Sequence, residues 1–292
     1  MTGVFSMIFT LGFAAQVLRI AVPYALAAMG GAVTERSGVV DLALEAKLLF
    51  GAFTAAAVGH ATGSAYLGVL GGMAAGLIVA AIQVGCSLWL GADQVIVGVA
   101  LNILALGGTR FLLQLLFGEG ANSPPSPSFG SSVLGNPIVW LTVIAAIAVP
   151  FALRRTRWGV RLRAAGDRPD ALVAVGVSPN RARLAAGLVG GALAGAGGAQ
   201  LSLAVGGFSA DMSSGRGYIA LAMVILSGWR PAWAVLACLG VAFAESLNIL
   251  FQVTDVAISH ELAALLPYLT TLGVLIIAGG ARRRPPRSLG QV

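Results

Sequence analysis

The stretch from Glu35 to Phe53, ERSGVVDLALEAKLLFGAF, places a cluster of charge inside an otherwise apolar sequence. The whole chain has 18 Lys and Arg and 11 Asp and Glu residues, yet this stretch alone contains Glu35, Arg36, Asp41, Glu45 and Lys47. Charged residues in apolar surroundings usually face a protein interior or a water-filled path and mark a functional site. The alternative interpretation is a solvated loop between two membrane-spanning helices.

A break in the helical structure is expected at Ser37 and Gly38. The Ser37 hydroxyl is placed to cap a new helix by accepting hydrogen bonds from its free amides. On that helix Asp41 and Glu45 would lie four residues apart on one face, where like charges repel. Packing gives no reason for such a pair, so the pattern favours a functional role.

The composition is that of a membrane protein. Of the 292 residues, 58% are hydrophobic and 10% are charged, and the mean hydropathy is +0.90. About 20 apolar residues span a bilayer, so we expect an all-α, multi-pass protein of the cytoplasmic membrane with about 8–10 transmembrane helices. The expected spans lie near residues 4–31, 42–59, 65–90, 94–117, 137–153, 184–207, 217–228, 232–252 and 262–280. Because Pro23 breaks the first of them, it is either one kinked span or a span followed by a half-helix.

The net charge of +7 is carried by arginines that cluster between the apolar spans. Positive residues beside spans face the cytoplasm, which places residues 154–183 and the tail from Arg282 inside the cell. The segment 118–136 has no basic residue and is expected outside. This distribution leaves no basic face for a nucleic acid, so membrane lipid is the expected surrounding.

The cytoplasmic segment 154–183 also contains the signals of a short helix. Asp167 can cap this helix, Pro169 lies near its first turn, and Gly176 can end it. Leu172, Val173 and Val175 give it apolar side chains that a simple topology anchor does not need. We therefore expect it to dock on a cytoplasmic partner.

A second polar interruption, at 208–216, matches the first. Aligning Ser37-Gly38 with Ser214-Gly215 predicts two related halves, about 20–117 and 184–280, within a single domain over residues 1–292. Broken apolar segments at corresponding places in two halves are typical of a transport pathway, and counting spans indicates that the halves are inverted. The glycines of 184–207 favour close helix packing, and Asn102 is deep enough to hydrogen-bond between helices.

These segments resemble a known family. The first is similar to the motif ERSGxxNLGLEGMMLxGAF of permease subunits of ABC importers for nucleosides and simple sugars, which are related to ribose and branched-chain amino acid permeases. The segment GFSADMSSGRGYIALA, from Gly207 to Ala222, resembles the second motif of that family, and AGDRPDALVAVGV, from Ala165 to Val177, resembles its cytoplasmic coupling loop. Among the departures, Asp41 stands where Asn is usual, Ala46 where Gly is usual and Lys47 where Met is usual.

The resemblance implies a permease subunit that imports nucleosides or related sugars by alternating access. The implied partners are cytoplasmic ABC ATPase subunits, a second permease subunit in a homodimer or heterodimer, and an extracytoplasmic substrate-binding protein. The residues expected in the substrate pathway are Glu35, Arg36, Ser37, Asp41, Glu45, Asn102, Gly215, Arg216 and Tyr218. Those expected to couple to the ATPase are Asp167, Pro169, Leu172, Val173, Val175 and Gly176.

The chain itself shows no sign of catalysis. It has no GxxxxGK[ST] motif, no Ser/His/Asp arrangement and no HExxH motif. We therefore expect no enzymatic activity, no metal and no cofactor in this chain, with ATP and Mg²⁺ bound by the partner ATPase.

Other interpretations make different use of the acidic residues. A secondary transporter driven by an ion gradient would use Asp41, Glu45 or Glu245 as a proton carrier, but it has no evident use for the helix in 154–183. A structural scaffold leaves the buried charge unexplained. In the importer interpretation, we expect Arg216 to compensate the acid of the first segment, with Arg36 and Lys47 as local candidates.

Overall fold

The structure, a computed structural model, describes residues 10–130, 132–253 and 285–291, and within these ranges regular structure is entirely helical. The helices are α1 (Leu11–Arg36), α2 (Leu44–Thr62), α3 (Ala65–Trp89), α4 (Gln94–Phe117), α5 (Pro137–Arg155), α6 (Arg157–Asp167), α7 (Pro169–Ala174), α8 (Pro179–Val205), α9 (Arg216–Leu226) and α10 (Pro231–Val253). Six of them, α1, α3, α4, α5, α8 and α10, are long and apolar enough to cross a membrane. The predicted all-α, multi-pass fold is confirmed.

The helix bounds follow the expected spans closely. Helix α1 runs unbroken through Pro23 to Arg36, so the half-helix alternative is wrong. Helix α2 has 19 residues and is buried along most of its length, and α9 has only 11. The expected span at 262–280 and the arginines at 282–284 lie outside the described residues.

Helix α8 lies at the centre of the structure, packed against α1, α2 and α3. Its glycines bring backbones into direct contact. A methyl group on Gly190 would lie 2.6 Å from the carbonyl oxygen of Gly30 in α1, and one on Gly195 would lie 3.0 Å from the Cα of Gly76 in α3. Small residues allow this approach in membrane proteins, as expected from the sequence of 184–207.

The packing of the long helices has a reciprocal pattern. Helix α3 packs on α8, α10 packs on α1, and α1 and α8 pack on each other. If α1 corresponds to α8 and α3 to α10, a two-fold axis between the halves would turn the contact of α3 with α8 into the contact of α10 with α1. The division into two halves, about 20–117 and 184–280, stays a prediction.

The segment 118–136 is tied to the second interruption by backbone hydrogen bonds. The amide of Ser123 donates to the carbonyl of Phe208 at 2.8 Å, and that of Ser126 donates to Gly206 at 2.8 Å. In the other direction, the amide of Ala210 donates to Ala121 at 2.7 Å. The expected outer loop therefore lies directly against residues 206–210.

The glycine contacts predict a contrast between two alanine substitutions. A methyl group at Gly198 would overlap the Leu48 carbonyl oxygen, whereas one at Gly107 meets no atom within 4 Å. Gly198→Ala should destabilise the protein by about 1–3 kcal/mol through overpacking. Gly107→Ala should be neutral or stabilising by about 0.5–1 kcal/mol, because glycine is unfavourable inside a helix. Thermal unfolding of the two purified variants measures this, and equal unfolding temperatures would contradict the packing role of α8.

Candidate functional site

The first helix break covers residues 37–43 and differs in detail from the expectation. The Ser37 hydroxyl donates to the carbonyl of Thr34 at 2.6 Å, so Ser37 ends α1 and does not cap α2. Because α2 begins only at Leu44, Asp41 lies in the break, and the prediction that Asp41 and Glu45 share a helix face is wrong. The break is buried apart from partial exposure at Val40 and residue 42.

Side chains from distant helices satisfy the backbone of this break. The amide of Val40 donates to Gln94 Oε1 at 2.6 Å, and its carbonyl accepts from Gln83 Nε2 at 3.1 Å. The amide of Asp41 donates to Glu35 Oε1 at 3.2 Å. Buried backbone groups without partners are costly, so these side chains make the break possible.

Asn102 of α4 serves both the break and the second half of the chain. Its Nδ2 donates to the carbonyl of Leu42 at 2.8 Å and to the hydroxyl of Tyr218 at 3.1 Å. Its Oδ1 accepts from the amide of Ala46 at 2.9 Å. The expected hydrogen bonding of Asn102 between helices is confirmed.

Asp41 and Lys47 form an ion pair with no side-chain exposure. Lys47 Nζ lies 2.5 Å from Asp41 Oδ1. The second oxygen, Oδ2, is buried and has no hydrogen-bond partner within the described part of the chain. These are two of the positions where the sequence departs from the family motif, with Asp and Lys in place of Asn and Met. In the fold the two departures meet and compensate each other in charge.

Glu45 joins the two helix breaks. Its carboxylate accepts from the Ser213 hydroxyl at 2.6 Å and from the amides of Gly215 at 2.8 Å and Gly217 at 2.6 Å. These amides form the N-terminus of α9, where a carboxylate is stabilised by the helix dipole. A methyl group on Gly217 would meet the Glu45 backbone at 2.5 Å, so only glycine fits there. The two interruptions therefore converge on one carboxylate.

Arg216 has a different partner from the one expected. Its Nη2 lies 2.8 Å from Glu245 Oε1 of α10, and Glu245 Oε2 accepts from the Tyr24 hydroxyl at 2.9 Å. The prediction that Arg216 compensates the acid of the first segment is wrong. Glu45 is compensated by backbone amides and Asp41 by Lys47, which leaves Arg216 available to Glu245.

Trp229 ties the end of α9 to the end of α1. Its indole Nε1 donates to Glu35 Oε2 at 2.6 Å, and its carbonyl accepts from Arg36 Nε at 2.9 Å. Trp229 has a φ of +56°, a left-handed conformation that non-glycine residues rarely adopt. Sequence reasoning missed this residue, which directly follows the expected span at 217–228.

The segment 154–183 contains two helices where one was expected. Asp167 is the last residue of α6 and does not cap α7, so that expectation is wrong. Pro169 opens α7, and Gly176 follows its end with a φ of +73°, both as expected. Leu172 is buried at 5% exposure, whereas Val173 and Val175 are 64% and 71% exposed.

Arg183 and residues 288–290 connect the end of α6 to the first break. Arg183 donates from Nε to the carbonyl of Ser37 at 3.3 Å and from Nη2 to that of Ala165 at 3.3 Å. Ser288 donates from its hydroxyl to the carbonyl of Gly166 at 2.7 Å, and the amide of Gly290 donates to Gly38 at 3.1 Å. Three of these four hydrogen bonds join residues more than one hundred positions apart, so no local sequence signal predicts them. The exception is the Arg183–Ala165 bond, which spans 18 positions.

No group of three or more His, Cys, Asp or Glu side chains that could hold a metal occurs among the described residues. The site is instead a junction of two helix breaks, held by carboxylates and amide side chains, with the short helices α6 and α7 attached to the first break. Such a junction near the middle of a helical bundle is the architecture of a membrane permease.

The comparisons with known proteins agree with this class. Residues 13–275 match the family described as the branched-chain amino acid transport system permease component, and the chain belongs to that family. It is thus a multi-pass protein of the cytoplasmic membrane.

Three curated relatives illustrate the likeness. The guanosine ABC transporter permease NupQ of Bacillus subtilis is 33% identical, over 86% of this chain and 87% of the relative. A putative glucose ABC transporter permease of Haloferax volcanii is 30% identical, over 92% and 93% of the two chains. The nucleoside ABC transporter permease NupC of Lactococcus lactis is 28% identical, over 93% of each. No solved structure is significantly similar to the chain.

The Asp41–Lys47 pair predicts a specific double-mutant result. Asp41→Asn leaves Lys47 buried without its counter-charge, and Lys47→Met does the same to Asp41, so each should lower the free energy of unfolding by about 3–5 kcal/mol. The double variant Asp41→Asn/Lys47→Met carries neither charge and should recover most of that loss. Unfolding of the purified variants in detergent measures the coupling.

The Arg216–Glu245 ion pair is the control for this comparison of single and double variants. Its side chains are 23% and 19% exposed, so Arg216→Gln/Glu245→Gln should show a weaker coupling. Additive losses in the Asp41/Lys47 double variant would mean that the two charges do not compensate each other.

Proposed function

We propose that this chain is the membrane-spanning subunit of an ATP-driven importer that moves nucleosides or related simple sugars by alternating access. The observation that carries the proposal is family membership together with the convergence of two helix breaks on Glu45. Two of the relatives described above are named as nucleoside or guanosine permeases and one as a putative glucose permease. In this proposal the chain catalyses no reaction and needs no cofactor, since ATP and Mg²⁺ bind to separate ATPase subunits.

The pathway in this proposal lies between two permease subunits, each of which contributes its helix breaks. Within one chain, Glu35, Ser37, Asp41 and Glu45 are buried and hydrogen-bonded to protein groups. Their role is therefore to hold the breaks in shape.

In this proposal the residues that contact the solute are those on the solvent-exposed face of α9. Tyr218 and Ile225, seven positions apart on that helix, are 48% and 49% exposed. Arg216 and Gly215 lie at the start of the same helix, and Asn102 orients the Tyr218 hydroxyl by donating to it. Aromatic faces with a polar tip suit a nucleobase or a sugar ring.

Coupling to ATP hydrolysis is assigned to α7 and the residues around it. Leu172 anchors the helix while Val173 and Val175 present apolar surface to the cytoplasm. Arg183 links the adjoining end of α6 to Ser37, and residues 288–290 link it to Gly38, with Ser288 bonded to Gly166 and Gly290 bonded to Gly38. A movement imposed on α7 by an ATPase would thus reach the first break through hydrogen bonds, without crossing the whole membrane domain.

An ion-driven secondary transporter is not favoured. Glu45 accepts hydrogen bonds from backbone amides, Glu245 is paired with Arg216, and Asp41 is paired with Lys47. Each of these carboxylates therefore has a partner that stabilises its charged form. The relatives of the chain are also named as ABC transporter permeases.

Uptake into proteoliposomes tests the proposed function. The chain would be co-purified with the ATPase and the binding protein of its own gene cluster and supplied with guanosine, adenosine or ribose. We expect uptake that requires ATP and the binding protein and that persists when a protonophore dissipates the proton gradient. Uptake that the protonophore abolishes while ATP is saturating would contradict an ATP-driven mechanism.

The coupling assignment predicts the effect of charge on α7. Val173→Asp/Val175→Asp should reduce ATP-dependent uptake at least about tenfold, because an unpaired carboxylate in an apolar contact is strongly unfavourable. Insertion and the unfolding temperature should be unchanged, since both side chains are exposed. Val160→Asp is the matched control, because Val160 is 54% exposed on the neighbouring helix α6. Equal uptake by the double variant and the control would exclude α7 as the docking element.

A further inference from the structure

A basic pocket of about 350 Å³ lies where the cytoplasmic ends of α1, α5 and α10 meet α6. Four arginines from these elements and from the turn before α10 line it: Arg36, Arg154, Arg163 and Arg230. The rest of its wall is apolar, formed by Pro150, Leu153, Pro231 and Ala232. The lining residues lie outside both helix breaks, although Arg36 directly precedes the first one, and none of them has a role in the transport mechanism proposed above.

The charge of this pocket is positive and, among the described residues, no acidic side chain is ion-paired with it. Within the part of the chain that the structure describes, none of the four arginines forms an ion pair, since the ion pairs there are Asp41–Lys47 and Arg216–Glu245. Two of the four arginines donate a hydrogen bond to a backbone carbonyl: Arg36 Nε to Trp229 at 2.9 Å and Arg163 Nε to Gly159 at 3.4 Å. Four guanidinium groups line this one pocket, and such a concentration of like charge favours binding of an anion.

The surroundings of the pocket point to the membrane. Pro150 and Pro231 belong to the spanning helices α5 and α10. The same helices carry exposed apolar side chains close in sequence to the lining residues: Phe151 and Ile147 on α5 are 62% and 70% exposed, and Trp233 and Leu236 on α10 are 50% and 56% exposed. Arginines therefore lie at the cytoplasmic end of an apolar surface of the kind that faces lipid.

We infer that this pocket binds the phosphate group of an anionic phospholipid of the inner leaflet, whose acyl chains lie along α5 and α10. Guanidinium groups bind phosphate oxygens through paired, charge-assisted hydrogen bonds. Basic pockets between transmembrane helices on the cytoplasmic side bind such headgroups. The apolar wall distinguishes this ligand from a soluble phosphate, which needs no apolar contact. It also argues against an acidic segment of a partner protein, which would not follow the spanning helices.

Native mass spectrometry of the purified full chain tests the inference. The probes are cardiolipin and phosphatidylglycerol, with phosphatidylcholine as the neutral lipid. Wild-type protein should retain the anionic lipids, and Arg154→Gln/Arg163→Gln should retain them at least about tenfold more weakly, as expected for lost hydrogen bonds to a charged group. Arg155→Gln/Arg168→Gln is the matched control, because it removes the same charge from neighbouring exposed positions outside the pocket. The control should stay within about twofold of wild type.

A second measurement covers the case in which the pocket variant does not fold. Cardiolipin should raise the unfolding temperature of the wild type and of the control, and Arg230→Gln alone should reduce that rise. The inference would be overturned if the pocket variant and the control variant lost anionic lipid equally. It would also be overturned if the wild type retained phosphatidylcholine as well as the anionic lipids. Displacement of the lipid by millimolar inorganic phosphate would overturn it too. Loss of ATPase co-purification in the pocket variant with unchanged lipid retention would assign the pocket to the partner protein instead.

Discussion

A helix broken inside a buried region leaves backbone amides and carbonyls without partners, and this constraint shapes the centre of the molecule. Water and lipid cannot satisfy these groups there, so other parts of the protein must. The break after α1 is satisfied by Gln83, Gln94, Asn102 and Glu35, and the start of α9 by Glu45. Gln83, Gln94 and Asn102 tie the first break to helices α3 and α4, and Glu45 ties the start of α9 to α2. The polar residues are therefore structural first, and the shape that they hold is what function can use.

The positions of the breaks could be predicted from the sequence, whereas the pairing of charges could not. Charge within an apolar run and glycine at matching places indicated breaks at Ser37-Gly38 and at 208–216, the first of which extends to residue 43 in the structure. The apolar valines around α7 followed from its pattern. The partner of Arg216 depended on a fact that the sequence does not contain: the amides of Gly215 and Gly217 already neutralise Glu45. Likewise, Asp41 and Lys47 are six positions apart, and their contact depends on α2 beginning at Leu44 and not at Ser37. Trp229 and Ser288 act through contacts with no local pattern at all.

Two kinds of contact hold the molecule together. Helices α1, α2, α3 and α8 touch through their backbones, and such contacts have no side-chain layer between them. The two breaks and the end of α6 combine close glycine contacts with hydrogen bonds from side chains of other segments. Arg183 and Ser288 are two of the residues that supply these hydrogen bonds at the end of α6.

The Asp41–Lys47 pair has a consequence for how this sequence could have arisen. A chain with Asn and Met at these positions reaches the present state by two substitutions, and each route passes through a protein with one unneutralised buried charge. Selection for stability opposes both intermediates, so the two residues are expected to be exchanged together or while another change supports the fold. Once acquired, the pair resists reversal for the same reason. Descendants of this sequence should therefore keep both charges or lose both.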